Sequence, residues 1–118
     1  MRRKVLAIFE APTVLILECT TPEVVSALGI NPELELTILL RKDGVAYADK
    51  AKKVGCDRMS ASEAWKSIIS LFKGHIYAVK EDVEQRGIPA NRVVSQIKLM
   101  PRENVAHLID KNSTVMVY

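Results

Sequence analysis

The chain is poor in cysteine, histidine, glycine and aromatic residues, and each shortage removes a class of function. Its 118 residues hold two cysteines, Cys19 and Cys56. Two are too few for a disulfide scaffold. No C-x-x-C pair occurs, and the two histidines, His75 and His107, stand far apart. No metal-ligand spacing results, so neither a metal nor a cofactor is expected. The five glycines never cluster into G-x-G-x-x-G or G-x-x-x-x-G-K-[ST]. That excludes the nucleotide sites built on such loops. There is no G-x-S-x-G elbow, and His, Ser and Asp form no recognisable triad. With two Phe, one Trp and three Tyr, few rings are available for base stacking. The net charge of +3 is mild, and part of it sits in Arg2-Arg3-Lys4. Direct nucleic-acid binding is therefore not expected. No apolar run reaches the roughly 18 residues of a membrane span. Arg2-Arg3-Lys4 followed by Val5 to Phe9 has the outline of a signal peptide. Glu10 interrupts the apolar run, however, and Glu18 stands where a cleavage site needs a small residue. The expectation is a buried first strand with a basic lead-in, in a cytoplasmic protein with no membrane partner.

The composition itself, 48% hydrophobic and 26% charged, is that of a globular chain, and the length suits one domain over residues 1–118. Lys4 to Phe9 reads as a strand buried on both faces. Thr13 to Cys19 has β-branched character but lies where a crossover wants a helix. Thr21-Pro22 starts a helix that Gly29 stops. Leu34 to Leu40 is the second strand. Asp43-Gly44 then supplies a turn in which glycine would tolerate positive φ. Val45 to Val54 carries Val45, Ala48 and Ala51 at helical spacing, so a short helix ending at Gly55 is expected. Ser60-Ala61-Ser62-Glu63 is a capping-box pattern. It leads into the clearest amphipathic helix, with Ala61, Ala64, Trp65, Ile68, Ile69 and Phe72 at i, i+3, i+4 spacing and Gly74 as its terminal glycine. Ile76 to Val79 is the third strand, followed by helical turns over Glu81 to Arg86 that Gly87 closes. Gln96 to Met100 is the fourth strand. Pro101-Arg102-Glu103 opens a helix carrying Val105, Leu108 and Ile109, and Thr114 to Val117 is the last strand. This alternation predicts an α/β fold in three layers, with a mostly parallel sheet of about five strands and helices on both faces. Sites in such folds collect at the carboxyl ends of strands.

Cysteine is the residue type left to carry covalent chemistry. A sulfur-transferring thiolate must be exposed and of lowered pKa, commonly beside a helix start or a basic neighbour. Cys19 precedes the Thr21-Pro22 helix start, and Cys56 has Lys52, Lys53 and Arg58 nearby. Cys19 stands first and Cys56 second as candidate reactive thiols. The bland reading is that both are small buried residues. Lys80, Glu81 and Asp82 follow the third strand. The carboxylate pair could do acid–base work, but such charges at a helix start more commonly complement its dipole and face water. Tyr47 and Tyr77, near strand ends, read as packing residues or interface anchors.

Two stretches carry a family resemblance. Arg41-Lys42-Asp43-Gly44-Val45-Ala46-Tyr47-Ala48 resembles the apolar strand followed by Asp-Gly-Val/Ile-Tyr-Ala of the DsrH/TusB branch of the DsrE/DsrF/DsrH superfamily. Tyr77 to Gly87, YAVKEDVEQRG, resembles that branch's later strand-and-turn block, and the short aromatic-ended last strand fits as well. The resemblance implies a flavodoxin-like fold. It also implies homo-oligomers, or hetero-oligomers with DsrE/DsrF-like subunits. The activity it implies is persulfide sulfur transfer between donor and acceptor proteins, in sulfur oxidation or tRNA 2-thiouridine formation. DsrE-type subunits carry their acceptor cysteine after the strand matching Ile76 to Val79. Val79-Lys80 stand there in this chain, so that role does not carry over. Some members of the branch hold a cysteine in the first crossover, the region of Cys19. Asp43, Gly44, Tyr47, Lys80, Glu81 and Asp82 are the expected binding or interface residues. A sulfur carrier, a non-catalytic scaffold subunit and a small-molecule-binding regulatory module at the strand ends all remain open on this reading.

Overall fold

The computed structural model describes residues 3–10, 34–54, 59–60, 63, 65–66, 74–112 and 114–117. Strands β1 (Arg3–Phe9), β2 (Leu34–Leu40), β5 (Gly74–Val79), β6 (Ile97–Met100) and β7 (Thr114–Val117) form one sheet in the order β6-β5-β2-β1-β7. Every pairing in it is parallel. Two further strands, β3 (Lys53–Val54) and β4 (Met59–Ser60), make a separate antiparallel pair. The helices whose ends lie among the described residues are α1 (Lys80–Gln85) and α2 (Val105–Asp110), with 3-10 turns at Lys42–Ala48, Ala90–Arg92 and Arg102–Asn104; Glu63, Trp65 and Lys66 are helical as well.

Strands β1 and β2 carry buried runs, Val5 to Phe9 and Leu36 to Leu40, interrupted by a polar side chain only at Thr37, because they lie inside the sheet and are covered on both faces. Their alternation divides the core into two layers. Val5, Ala7 and Phe9 join Leu36, Ile38 and Leu40 on one face, under Val45, Tyr47, Ala48, Trp65 and Val83. Leu6, Ile8, Leu39 and Val79 face the other way, against Val105, Leu108 and Ile109 of α2. Connection handedness explains the split. From β2 to β5 to β6 the chain steps one way along the sheet, and the residues of these crossings pack on the first face. From β6 it returns past three strands to β7, and α2 therefore lands on the second face, as right-handed crossovers require. The result is a three-layer α/β fold of the flavodoxin-like kind. Both edge strands are four residues long, as a short edge should be to discourage further pairing.

Trp65 anchors the first layer. It is fully buried, while Glu63 and Lys66 beside it are exposed, which is the amphipathic pattern read in that helix. Burying an indole of this size contributes on the order of 5 kcal/mol before entropy. Its Nε1–H donates to the Tyr47 carbonyl at 2.8 Å, so the polar atom is satisfied as well. Helix α1 ends in a Schellman motif: Gly87 N–H donates to Glu84 O at 3.0 Å and Ile88 N–H to Val83 O at 3.2 Å. Gly87 takes φ +71, which a side chain would resist.

Three local expectations are corrected. The stretch after β2 is not a helix over Val45 to Val54. It is a 3-10 turn over Lys42–Ala48, followed by an isolated bridge from Asp49 to Val93 and then by β3. Asp49 leaves the turn because its carboxylate clasps Arg92 at 2.6 Å, while Lys50 N–H donates to Arg92 O and Val94 N–H to Ala48 O, each at 2.8 Å. Those tertiary bonds outweigh a helical spacing of three small apolar residues. Gly74 begins β5 rather than closing the preceding helix, because it pairs with Leu36. The β3–β4 pair was not expected at all. The readings at Thr13 to Cys19, Thr21-Pro22, Gly29, Gly55, Ile68, Ile69 and Phe72 lie outside the described residues, as do Cys19 and Cys56. Among the described residues, no helix is long and apolar enough to cross a membrane.

Candidate functional site at the strand ends

Parallel strands end together, so the first polar residues after β1, β2, β5 and β6 meet along one rim. After Phe9 comes Glu10, and after Leu40 come Arg41 and Lys42. Lys80, Glu81 and Asp82 follow Val79, and Arg102 stands two residues beyond Met100. The carboxylates there join neighbouring strand ends. Glu10 accepts from Arg41 Nε at 2.7 Å and lies 3.2 Å from Lys42 Nζ. Burial pushes the Glu10 pKa up, but the hydrogen bonds from Lys42 and Arg41, together with their charges, hold it below the usual carboxylate value. Asp82 is buried at 8% exposure. Its Oδ2 accepts the Lys42 backbone N–H at 2.7 Å, and its Oδ1 accepts Arg102 Nη2 at 2.5 Å. Glu81 accepts the Arg102 backbone N–H with both oxygens, at 2.9 and 3.1 Å. Asp43 pairs with Arg86 at the end of α1.

This wiring forces an unusual backbone. Lys42 takes φ +54, the only left-handed non-glycine conformation among the described residues. A lysine there carries strain on the order of 1 to 3 kcal/mol, held by what surrounds it. Gly44, by contrast, is not at positive φ, which corrects the turn expected at Asp43-Gly44. It is glycine for a different reason. A Cβ there would lie 2.1 Å from the Phe9 carbonyl oxygen, so only a bare Cα lets the turn pass over the end of β1. Two cavities open at this rim. One of about 520 Å3 is bordered by Lys42, Asp43, Asp82, Gln85 and Arg86. The other, about 270 Å3, is bordered by Arg41, Lys42, Val79, Asp82, Arg102 and Val105.

Of the residues singled out in the sequence, Asp43, Lys80, Glu81 and Asp82 do converge on the rim. Asp82 does not face water as a helix-start charge; it is buried and doubly engaged, because α1 leans on the turn after β2. Gly44 and Tyr47 are buried, so neither is a surface contact. The Tyr47 ring sits in the first core layer, with Lys52 Nζ 5.4 Å from its centroid. Tyr77 is half-buried in the second layer and tilts against His75 at 6.0 Å. The sequence reading passed over Glu10, Arg41, Lys42, Arg86 and Arg102. Each of Glu10, Arg41, Lys42 and Arg102 lies within two residues of a strand's end, and that signal alone could have marked them. Among the described residues, no group of three His, Cys, Asp or Glu is placed to hold a metal ion.

Fold and site define a parallel three-layer α/β protein whose polar crevice lies outside the carboxyl ends of its strands, where this architecture presents its ligand sites. No family model matches the sequence, and no curated protein matches it. Solved structures do. The YchN protein of E. coli aligns over 100% of both chains at 15% identity with a TM-score of 0.73. MTH1491 from Methanobacterium thermoautotrophicum, described as a protein of unknown function, aligns over 98% of this chain and 99% of its own, at 10% identity and TM-score 0.66. What the chain shares with them is the fold.

Proposed function

We propose that the protein is a sulfur-relay subunit of the DsrH/TusB kind, working in an oligomer with itself or with DsrE/DsrF-like partners. One observation carries this reading. The two stretches that resemble that branch, Arg41 to Ala48 and Tyr77 to Gly87, are far apart in sequence but adjacent at the rim. They are joined there by the Lys42–Asp82 hydrogen bond and the Asp43–Arg86 ion pair. A resemblance spread by chance over the chain would have no reason to assemble into one crevice. At the end of β5, where DsrE-type subunits carry their thiol, stand Val79, buried beneath the rim, and Lys80, exposed. The relayed sulfur therefore rides on Cys19, with Cys56 second, or on a partner's cysteine beside this rim. In the carrier case the Cys19 thiolate attacks the terminal sulfur of a donor persulfide. The donor S–S bond breaks, the donor leaves as its thiolate, and the proton stays on the transferred sulfur. The exchange needs no external oxidant or reductant.

Intact-mass measurement after incubation with a persulfide donor tests the carrier role. A gain of one sulfur that Cys19→Ser abolishes and Cys56→Ser preserves supports it. No gain in the wild type transfers the sulfur to a partner and leaves this chain a scaffold. If, in addition, light scattering finds a monomer that takes up no DsrE/DsrF-like partner, the relay reading fails.

A further inference from the structure

Lys42 and Asp82 border both rim cavities, so the two spaces meet at one lysine and one carboxylate. The smaller space has an apolar floor: Val79 is 1% and Val105 7% exposed. Its walls are Arg41, Lys42 and Arg102, and Asp82 is the one acid in its described lining. The cations are incompletely engaged. Among the described residues, Arg41 and Lys42 share a single carboxylate, Glu10, which is not in the described lining of the space. Lys42 is 68% exposed. Arg102 gives Asp82 one guanidinium nitrogen of a five-donor fork and is 58% exposed. Cationic donors above a hydrocarbon floor suit an oxyanion head on a short apolar body. At about 270 Å3 the space falls below the roughly 300 Å3 at which drug-sized sites begin. A small oxyanion fits that volume.

The backbone supplies an independent reason to single out Lys42. Glycine would hold φ +54 without steric cost, yet the chain places there a lysine that borders both cavities. Its N–H is fixed by Asp82, which holds the backbone from which the lysine side chain leaves. We infer that the space bounded by Arg41, Lys42 and Arg102 binds small organic oxyanions, with Lys42 and Arg102 contacting the anionic head and Val79 and Val105 receiving a body of a few carbons. This site does not depend on the sulfur-relay reading.

The test keeps the two apart. Full-length chain carrying Cys19→Ser and Cys56→Ser is titrated with acetate, butyrate, thiosulfate and inorganic phosphate while amide NMR shifts are followed. Reduced wild-type chain is titrated alongside, so that a folding defect of the variant cannot decide the outcome. Saturable shifts at Lys42, Lys80 to Asp82 and Arg102 are expected, with butyrate tighter than acetate. Lys42→Met and Arg102→Gln should each weaken binding by about tenfold or more, the loss of one charge-assisted hydrogen bond. Lys42→Gly should raise the thermal midpoint of the free protein while weakening binding equally. The inference is overturned if no probe gives saturable shifts at these amides, if Lys42→Met and Arg102→Gln bind as the parent does, or if butyrate is no tighter than acetate.

Discussion

Replacing Gly44 by alanine puts a methyl carbon 2.1 Å from the Phe9 carbonyl oxygen and 2.8 Å from its carbon. Neither atom can give way alone, because both are backbone. The oxygen accepts the Arg41 N–H at 3.1 Å, the bond that ties the end of β1 to the end of β2, and Gly44 N–H donates to Arg41 O at 3.1 Å. The turn must therefore lift by about an ångström, with an overpacking cost of about 1 to 3 kcal/mol. Weakening the Arg41 bond adds about 1 kcal/mol. Alanine restricts the unfolded chain, which offsets roughly 0.4 to 1 kcal/mol. The net expectation is a destabilisation of about 1 to 3.5 kcal/mol, centred above 2. In urea, where small domains have m-values of roughly 1 to 3 kcal/mol/M, the midpoint should fall by about 1 M or more. Gly87→Ala is the internal control. That glycine has positive φ but nothing within 4 Å of a Cβ, so it loses only its conformational preference, about 1 to 2 kcal/mol. If Gly44→Ala proves no more destabilising than Gly87→Ala, the close-approach argument is wrong and the path of the turn over β1 must be redrawn.

Other changes probe the same framework. Asp82→Asn keeps an acceptor for the part-buried Lys42 N–H and should cost about 1 kcal/mol, whereas Asp82→Ala removes that acceptor and should cost about 1 to 3 kcal/mol; equal denaturation midpoints would show that the Arg102 pairing, not the Lys42 bond, dominates. Trp65→Phe fills most of the indole volume but loses the Nε1–H bond to the Tyr47 carbonyl, so about 1 kcal/mol should be lost in urea unfolding. Asp49 is held below its usual pKa by the hydrogen bond from Arg92, which overcomes the opposing effect of burial, with help from the Ala51 N–H and the Arg92 charge. Because the folded-state pKa values of Glu10 and Asp49 are lowered, the stability they contribute is present above the ordinary carboxylate range and disappears as pH falls through the folded values. Thermal midpoints measured from about pH 6 to about pH 3 should therefore decline, and less steeply in Glu10→Gln; a superimposable variant profile would remove Glu10 as a contributor.

Much of the architecture was readable in one dimension because burial writes itself into strands. A sheet covered on both faces calls for apolar residues at consecutive positions, as in Val5 to Phe9 and, Thr37 apart, in Leu36 to Leu40, and Arg86-Gly87 announces a helix end through its own backbone needs. Alternating elements then restrict the sheet to parallel pairing. The sequence also marked Asp43 and the Lys80 to Asp82 stretch as belonging near strand ends. It could not reveal that Asp82 is buried, that Lys42 is the strained residue, or that Gly44 is glycine because of Phe9. Each of those facts depends on partners 20 to 40 positions away. Local periodicity likewise predicted a helix after Ala48, where the Asp49–Arg92 clasp, 43 residues apart, ends the turn instead. Patterning of apolar residues is a local signal and specifies the layers. The rim is made where several strands finish side by side, and only the folded sheet decides which charges meet there.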